Sequence, residues 1–152
     1  MKALVQRVSN AEIKIGETVS SGIEKGLVVF LGVEKGDSLK EAEFLANKIA
    51  GLRCFEDEKG KMDLSVKDIN AEVLVVSEFT LCADLLHGRR PGFGKAAPAG
   101  EAEKLYQDFL TLLIAQGIRV AQGRFREHMV VNISNDGPVT FILNTRRELS
   151  RI

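Results

Sequence analysis

The sequence predicts a mixed α/β fold in which a curled, barrel-like sheet carries two main helices packed on one side. Three observations lead there. The run Gly26-Leu27-Val28-Val29-Phe30-Leu31-Gly32-Val33 is apolar between glycines, the mark of a strand buried on both faces. Two other stretches, at about 39–52 and 99–116, repeat their apolar residues with helical spacing. The remaining strand-like segments fall in groups, without the βαβ alternation of a doubly wound sheet. With 152 residues, 45% hydrophobic and 28% charged, a single domain over residues 1–152 with a proper core is expected.

Taken in order, residues 2–8 alternate and read as a strand. Residues 11–15 read as a second, with Ile13 and Ile15 on one face, and Gly16-Glu17 turns into a third at 18–21. After the buried run, Asp37 or Ser38 can cap the first helix, 39–52. Glu41 stands three residues beyond Ser38 in a capping-box pattern, and Ala42, Leu45, Ala46 and Ile49 form the apolar stripe. Residues 53–55 read as a short strand and 56–61 as a charged turn. Residues 73–76 read as another buried strand, ending in Ser77-Glu78-Phe79-Thr80-Leu81. A loop rich in glycine and arginine, 87–95, leads to Pro98 and Gly100, which open the second helix at 99–116. Its stripe is Leu105, Phe109, Leu112 and Leu113, and Gly117 is its C-terminal cap. Segments 118–122, 129–133 and 139–144 complete a set of about eight strands.

Several function classes are disfavoured. The formal net charge is zero, so a generic polyanion binder is not expected, and no DNA partner. No apolar run approaches the ~20 residues of a membrane span. The first eight residues form a strand-like run too short for a secretion signal. Cys54 and Cys82 lie in apolar contexts and read as two buried thiols in a reducing cytosol, so a cytoplasmic protein is expected. No dinucleotide, P-loop, zinc or calcium pattern is present, and neither a cofactor nor a metal is expected.

Candidate chemistry gathers at three places. Ser77 and Thr80 bring hydroxyls to a strand end, Glu78 brings a carboxylate, and the turn exposes N–H groups suited to an oxyanion. The alternative there is a strand cap, both hydroxyls bonding local backbone. The two histidines, His87 and His128, read as surface or packing residues, and no Gly-x-Ser-x-Gly elbow supports a triad. In the second place, Arg89, Arg90 and Lys95 share a loop with no acid between Leu85 and Lys95. They form a patch suited to phosphates, stiffened by Pro91 and Phe93. The C-terminal Arg146, Arg147 and Arg151 read as solvated charge. Third, Asn135-Asp136-Gly137-Pro138 interrupts two apolar runs. Such a segment would normally be a hairpin turn, but Pro138 has no N–H and Gly137 no side chain, so the corner can offer bare carbonyls to a ligand.

Together these pieces resemble the D-aminoacyl-tRNA deacylase family along the whole chain. The resemblance runs through Gln6-Arg7-Val8, Ser77-Glu78-Phe79-Thr80-Leu81, Gly88-Arg89-Arg90-Pro91-Gly92-Phe93 and the helix from Pro98 past Leu105-Tyr106 to Phe109. Its most specific part is Asn135-Asp136-Gly137-Pro138-Val139-Thr140. It implies a homodimer of mixed-sheet subunits with two active sites at their interface. It also implies hydrolysis of the ester between a D-amino acid and the terminal adenosine of tRNA, whose acceptor end is then the partner. By the same resemblance Ser77, Glu78, Phe79 and Thr80 line the catalytic pocket. Gly137-Pro138 is cis and reaches into the other subunit's site as a chirality gate, with Arg7, Asn135 and Leu81 in support. Arg89, Arg90 and Lys95 are then the candidates to touch tRNA. Two positions depart from the family pattern: Glu78 stands where glutamine is usual, losing an amide donor, and bulky Arg126 follows Phe125 where a small residue is usual. Thr80 as a covalent nucleophile is the second mechanism, lacking an evident base. A non-catalytic RNA-binding dimer and a generic small-ester hydrolase are the competing classes.

Overall fold

A computed structural model of the chain describes residues 1–86 and 88–150. The elements follow in the order β1 (Lys2–Ile15), β2 (Thr18–Ile23), β3 (Gly26–Gly32), α1 (Leu39–Ala50), β4 (Phe55–Glu56), β5 (Met62–Leu64), β6 (Glu72–Ser77), a 3-10 turn (Phe79–Cys82), α2 (Ala99–Ala115), β7 (Arg119–Gln122), β8 (Val130–Asn144) and α3 (Thr145–Leu149). No helix is long and apolar enough to cross a membrane among the described residues.

The main sheet is mixed, in the order β2-β1-β3-β6-β7, with β8 on the other side of β1. The pairs β3–β6 and β6–β7 are parallel; β1 is antiparallel to β2, β3 and β8. Residues 2–8 and 11–15 are not two strands but one. β8 follows β1 nearly throughout, while β1's partner on its other side changes from β3 at residues 2–8 to β2 at residues 11–15. That change curls the sheet, and the free edges β2 and β7 approach each other. The expected barrel-like mixed sheet is therefore present.

Alternation along each strand feeds two cores. One face, with Ala3, Val5, Leu27, Val29, Leu31, Val73 and Val75, packs beneath α1 and α2. The other, with Val8, Ala11, Ile13, Val28, Leu74 and Val76, lines the inside of the curl. The helix α1 starts as its sequence dictates. The Ser38 hydroxyl accepts from the Lys40 N–H at 3.3 Å, and Glu41 accepts from the Ser38 N–H at 2.8 Å. In α2, Leu105, Tyr106, Phe109, Leu110 and Leu113 are buried, with Leu112 only partly so. The Tyr106 hydroxyl donates to the Val75 carbonyl at 2.9 Å, tying α2 to the centre of the sheet.

Other expectations need correction. The strand placed at 53–55 begins at Phe55 and is half of a small hairpin with β5, a strand the sequence reading missed. Asp57 organises the turn between them by accepting from the N–H groups of Lys59 and Lys61. A third helix, α3, follows β8 where only solvated charge was expected. Asn144 caps it by accepting from the Arg146 N–H at 3.2 Å, and Arg146 reaches Glu34 at 3.4 Å and the Lys35 carbonyl at 2.6 Å. Arg151 of that basic cluster lies outside the described residues. Segments 129–133 and 139–144 are one strand, β8, so the Asn-Asp-Gly-Pro corner is not a hairpin turn. Cys54 and Cys82 are buried free thiols.

Candidate functional site

β6 ends at Ser77, and the chain turns at once into the 3-10 turn. Gly32, at the end of β3, makes this possible. A Cβ on Gly32 would stand 3.0 Å from the Cys82 sulfur and 3.1 Å from the Glu78 carbonyl, so only glycine lets the turn lie so close. The Glu78 N–H donates to the Leu31 carbonyl at 2.8 Å, anchoring the entry. The N–H of Leu81 closes the turn on the Glu78 carbonyl at 3.3 Å. Among the described residues no side chain caps the start of the turn. The leading N–H groups, those of Phe79 and Thr80, have no acceptor within it.

This turn forms one wall of a cavity of about 590 Å³. Ser77, Glu78, Phe79 and Thr80 all border it, so four of the expected pocket residues come together. Leu81 does not; it is half-buried behind the wall, and its carbonyl accepts from the Lys2 ammonium at 3.1 Å. The opposite walls are Phe30 and Val76 from the sheet, Ala97, Ala99 and Ala102 from the approach to α2, and the segment 125–129 before β8; of these the sequence singles out only Arg126. The small-residue run Ala96-Ala97-Pro98-Ala99 was the available signal, since small side chains leave room. His128, expected to be a surface or packing residue, borders the cavity too, as do Arg126 and Glu127. Arg126 has φ +64, a left-handed conformation that suits glycine.

Thr80's hydroxyl donates to the Glu78 carboxylate rather than to backbone, so the strand-cap alternative fails for Thr80. The same contact gives Thr80 an adjacent carboxylate, which the sequence reading had not found. No ion pair joins Glu78 to a lysine, arginine or histidine among the described residues.

Gly137 and Pro138 are exposed and border no part of their own chain's cavity. Their peptide bond is cis. They belong to a wide bulge in β8: Gln6 pairs with Thr140 and Val8 with Asn135, two steps on β1 against five on β8. Asn135 closes the bulge from both sides, accepting from the Val139 N–H at 2.9 Å and donating to the Val139 carbonyl at 3.2 Å. Arg7, buried beneath it, donates to the Asp136 carbonyl at 2.9 Å and to the Cys54 carbonyl at 2.7 Å. Burial pushes the Cys54 thiol up to about 11, so the sulfur stays neutral beside Arg7. Gly137 has φ +144, and a Cβ there would meet Val139 Cγ2 at 2.6 Å. Arg7 and Asn135, the residues expected to support the Gly-Pro corner, thus both bond to the bulge.

The basic loop packs on the turn through Phe79 and Phe93, whose rings meet edge-on at 4.8 Å. Asp84 and Gly92 exchange backbone hydrogen bonds at 2.7 and 3.0 Å. Arg89 and Arg90 are exposed. Lys95 is not isolated positive charge: it pairs with Asp84 at 3.1 Å, one residue outside the acid-free stretch. The Leu86 N–H and the Lys95 ammonium hold the Asp84 carboxyl below its ordinary value. His87 lies outside the described residues.

The family model described as D-Tyr-tRNA(Tyr) deacylase matches residues 4–144, which takes in the turn, the cavity and the bulge. The chain belongs to this family. Among its curated relatives, the D-aminoacyl-tRNA deacylase of Thermodesulfovibrio yellowstonii is 53% identical, over 96% of this chain and all of that one. The D-aminoacyl-tRNA deacylase of Thermotoga petrophila is 52% identical, over 97% and 99%. Of solved structures, one described as c-Myc DNA Unwinding Element Binding Protein superposes with a TM-score of 0.89 at 43% identity, over 95% of this chain and 98% of that one. Another, a probable eukaryotic D-amino acid tRNA deacylase, gives 0.80 at 12% identity and speaks to the fold alone, over 93% and 97%. The match to the deacylase family runs from within β1 to the end of β8, so the turn and the bulge lie in one continuous matched stretch.

Proposed function

We propose that this protein hydrolyses the ester that joins a D-amino acid to the terminal adenosine of tRNA. The observation that carries the reading is the uncapped turn beside the cavity, where the N–H groups of Phe79 and Thr80 are placed to receive a developing oxyanion. A space of about 590 Å³ suits an aminoacyl-adenosine end. An aminoacyl ester is already activated, and the neighbouring ribose 2′-hydroxyl can assist a water. Water adds to the carbonyl carbon, the ester C–O bond breaks, and free amino acid leaves intact tRNA. The protein then has chiefly to orient the ester and stabilise charge. Ser77, Glu78, Phe79 and Thr80 form the reacting wall, and Arg89, Arg90 and Lys95 meet the acceptor-end phosphates. The work would be cytoplasmic, where tRNA is charged.

The enzyme acts as a homodimer in which Gly137 and Pro138 of one copy close the cavity of the other. Their exposure, and their separation from their own cavity, support this arrangement. The carbonyls of the bulge hold the substrate amino group and wall off one side of its Cα. An L side chain then meets backbone pinned by Arg7 and Asn135; a D side chain points away. Glycine has nothing to collide, and a missing methyl changes affinity by only about 1–3 kcal/mol. Tyrosyl-tRNA carrying D- or L-tyrosine and glycyl-tRNA, compared under limiting enzyme, test the reading. Loss of D-tyrosine, survival of L-tyrosine and slower loss of glycine are expected. Equal rates on both tyrosyl enantiomers overturn the gate.

One observation favours a second mechanism on the same substrate. The Glu78 carboxylate accepts the Thr80 hydroxyl proton's hydrogen bond and could serve as the base that a threonine nucleophile requires.

A further inference from the structure

We infer that Glu78 is the counter-ion for the α-ammonium group of the substrate, so that the site selects esters of free amino acids over those of their hydroxy-acid analogues. The inference rests on the deacylase reading and assigns a role to a position where this chain departs from its family's usual residue.

The Glu78 side chain is half-buried at the cavity wall. One carboxylate oxygen accepts from Thr80 and is oriented by it; the other receives no hydrogen bond from any described residue. Around it the cavity is walled largely by Phe30, Val33, Val76, Phe125 and Met129. The same cavity carries Arg126, Glu127 and His128, but among the described residues no cation forms an ion pair with the Glu78 carboxylate. Near the N–H groups of Phe79 and Thr80 it would also oppose the negative charge that develops on the ester oxygen. A substrate ammonium resolves both conflicts. Its nitrogen lies two bonds from the ester carbonyl carbon, so a group on residue 78 can reach it while residues 79 and 80 reach the carbonyl. An ammonium has three N–H donors. Two can go to the second copy's Gly137 and Pro138 carbonyls and the third to the oxygen of Glu78 that has no donor, as a charge-assisted bond.

The test compares two esters on the same tRNA: D-tyrosyl-tRNA, and the 4-hydroxyphenyllactyl-tRNA made from it by nitrous acid deamination, which exchanges the amino group for a hydroxyl. Each is assayed with the wild-type protein and with Glu78→Gln, an isosteric change whose folding is checked by its melting temperature. With wild-type protein, kcat/KM should fall by at least ~10- to 100-fold from the amine to the hydroxyl ester, the share of the charge-assisted bond to Glu78 alone. In Glu78→Gln the preference for the amine ester should shrink ~10- to 100-fold, through loss on the amine ester, leaving only the part owed to the Gly137 and Pro138 carbonyls. Equal wild-type rates on both esters overturn the proposal and leave the deacylase reading intact. So does a Glu78→Gln protein that loses the same factor on both, which would make Glu78 a base acting through Thr80. A wild-type protein inert toward both esters overturns the deacylase reading and this proposal with it.

Discussion

Thr80 is the residue at which two mechanisms part. Its N–H has no acceptor in the turn, and its hydroxyl is spent on Glu78. If the backbone does the work, Thr80→Ala should retain deacylation to within about tenfold of wild type. A nucleophile would cost ~10³-fold or more in kcat with folding intact. Single-turnover deacylation of D-tyrosyl-tRNA distinguishes the two. The residue types at this wall were legible in the sequence, because a buried strand ending in Ser-Glu-Phe-Thr concentrates polar groups where a sheet ends. Their mutual contact was not. Glu78 and Thr80 are two apart, which in a strand would put them on one face with their side chains parallel; only the 3-10 turn folds one onto the other.

At the scale of elements, β8 shows why local chemistry misleads. Asn, Asp, Gly and Pro in succession signal a turn between two strands. Here β1 continues unbroken alongside, and the surplus residues are thrown out as a bulge, so the same chemistry makes a protrusion without reversing the chain. Helices α1 and α2, whose stripes and capping box are local, were legible within a turn at each end. The bulge depends on Arg7, about 130 positions away, and local pattern carries no trace of that. Asn135 should be its clasp. Asn135→Ala removes both hydrogen bonds to Val139 and should lower stability by about 1–3 kcal/mol, read from urea unfolding. It should also lower discrimination between D- and L-tyrosyl-tRNA, because the wall then yields. Unchanged discrimination would mean that the bulge is held by Arg7 alone.

At the scale of the whole molecule, the proposed gate and cavity belong to different copies, which makes complementation the decisive measurement. Gly137→Ala should wreck the bulge, since its Cβ would meet Val139 Cγ2 at 2.6 Å. Ala102→Trp should fill the cavity from α2. Each variant alone should be inactive. Co-expressed, they form mixed dimers in which an intact cavity faces an intact bulge once, and activity should return to about a quarter of wild type by random pairing in a two-fold assembly. No recovery in verified mixed dimers would place gate and cavity in the same chain. Ile142, three-quarters exposed on β8, and Phe30, partly exposed on β3, offer apolar surface for such a pairing.

The pairing of β1 with β8 has a consequence in time. Lys2 is the register partner of Asn144, and Ala3 of Leu143. During synthesis at ~5–20 residues per second, β1 waits on the order of ten seconds for that neighbour to be made. Until then one long edge of β1 stands open, and the protrusion carrying Gly137 does not yet exist. Closing so large a loop carries an entropic cost before any contact repays it, which places this topology among the slower-folding small proteins. A ribosome therefore finishes nearly the whole chain before the first working copy can form. A truncated product that lacks β8 loses the neighbour of β1 and the Gly137 protrusion together, and should show no deacylation of D-tyrosyl-tRNA.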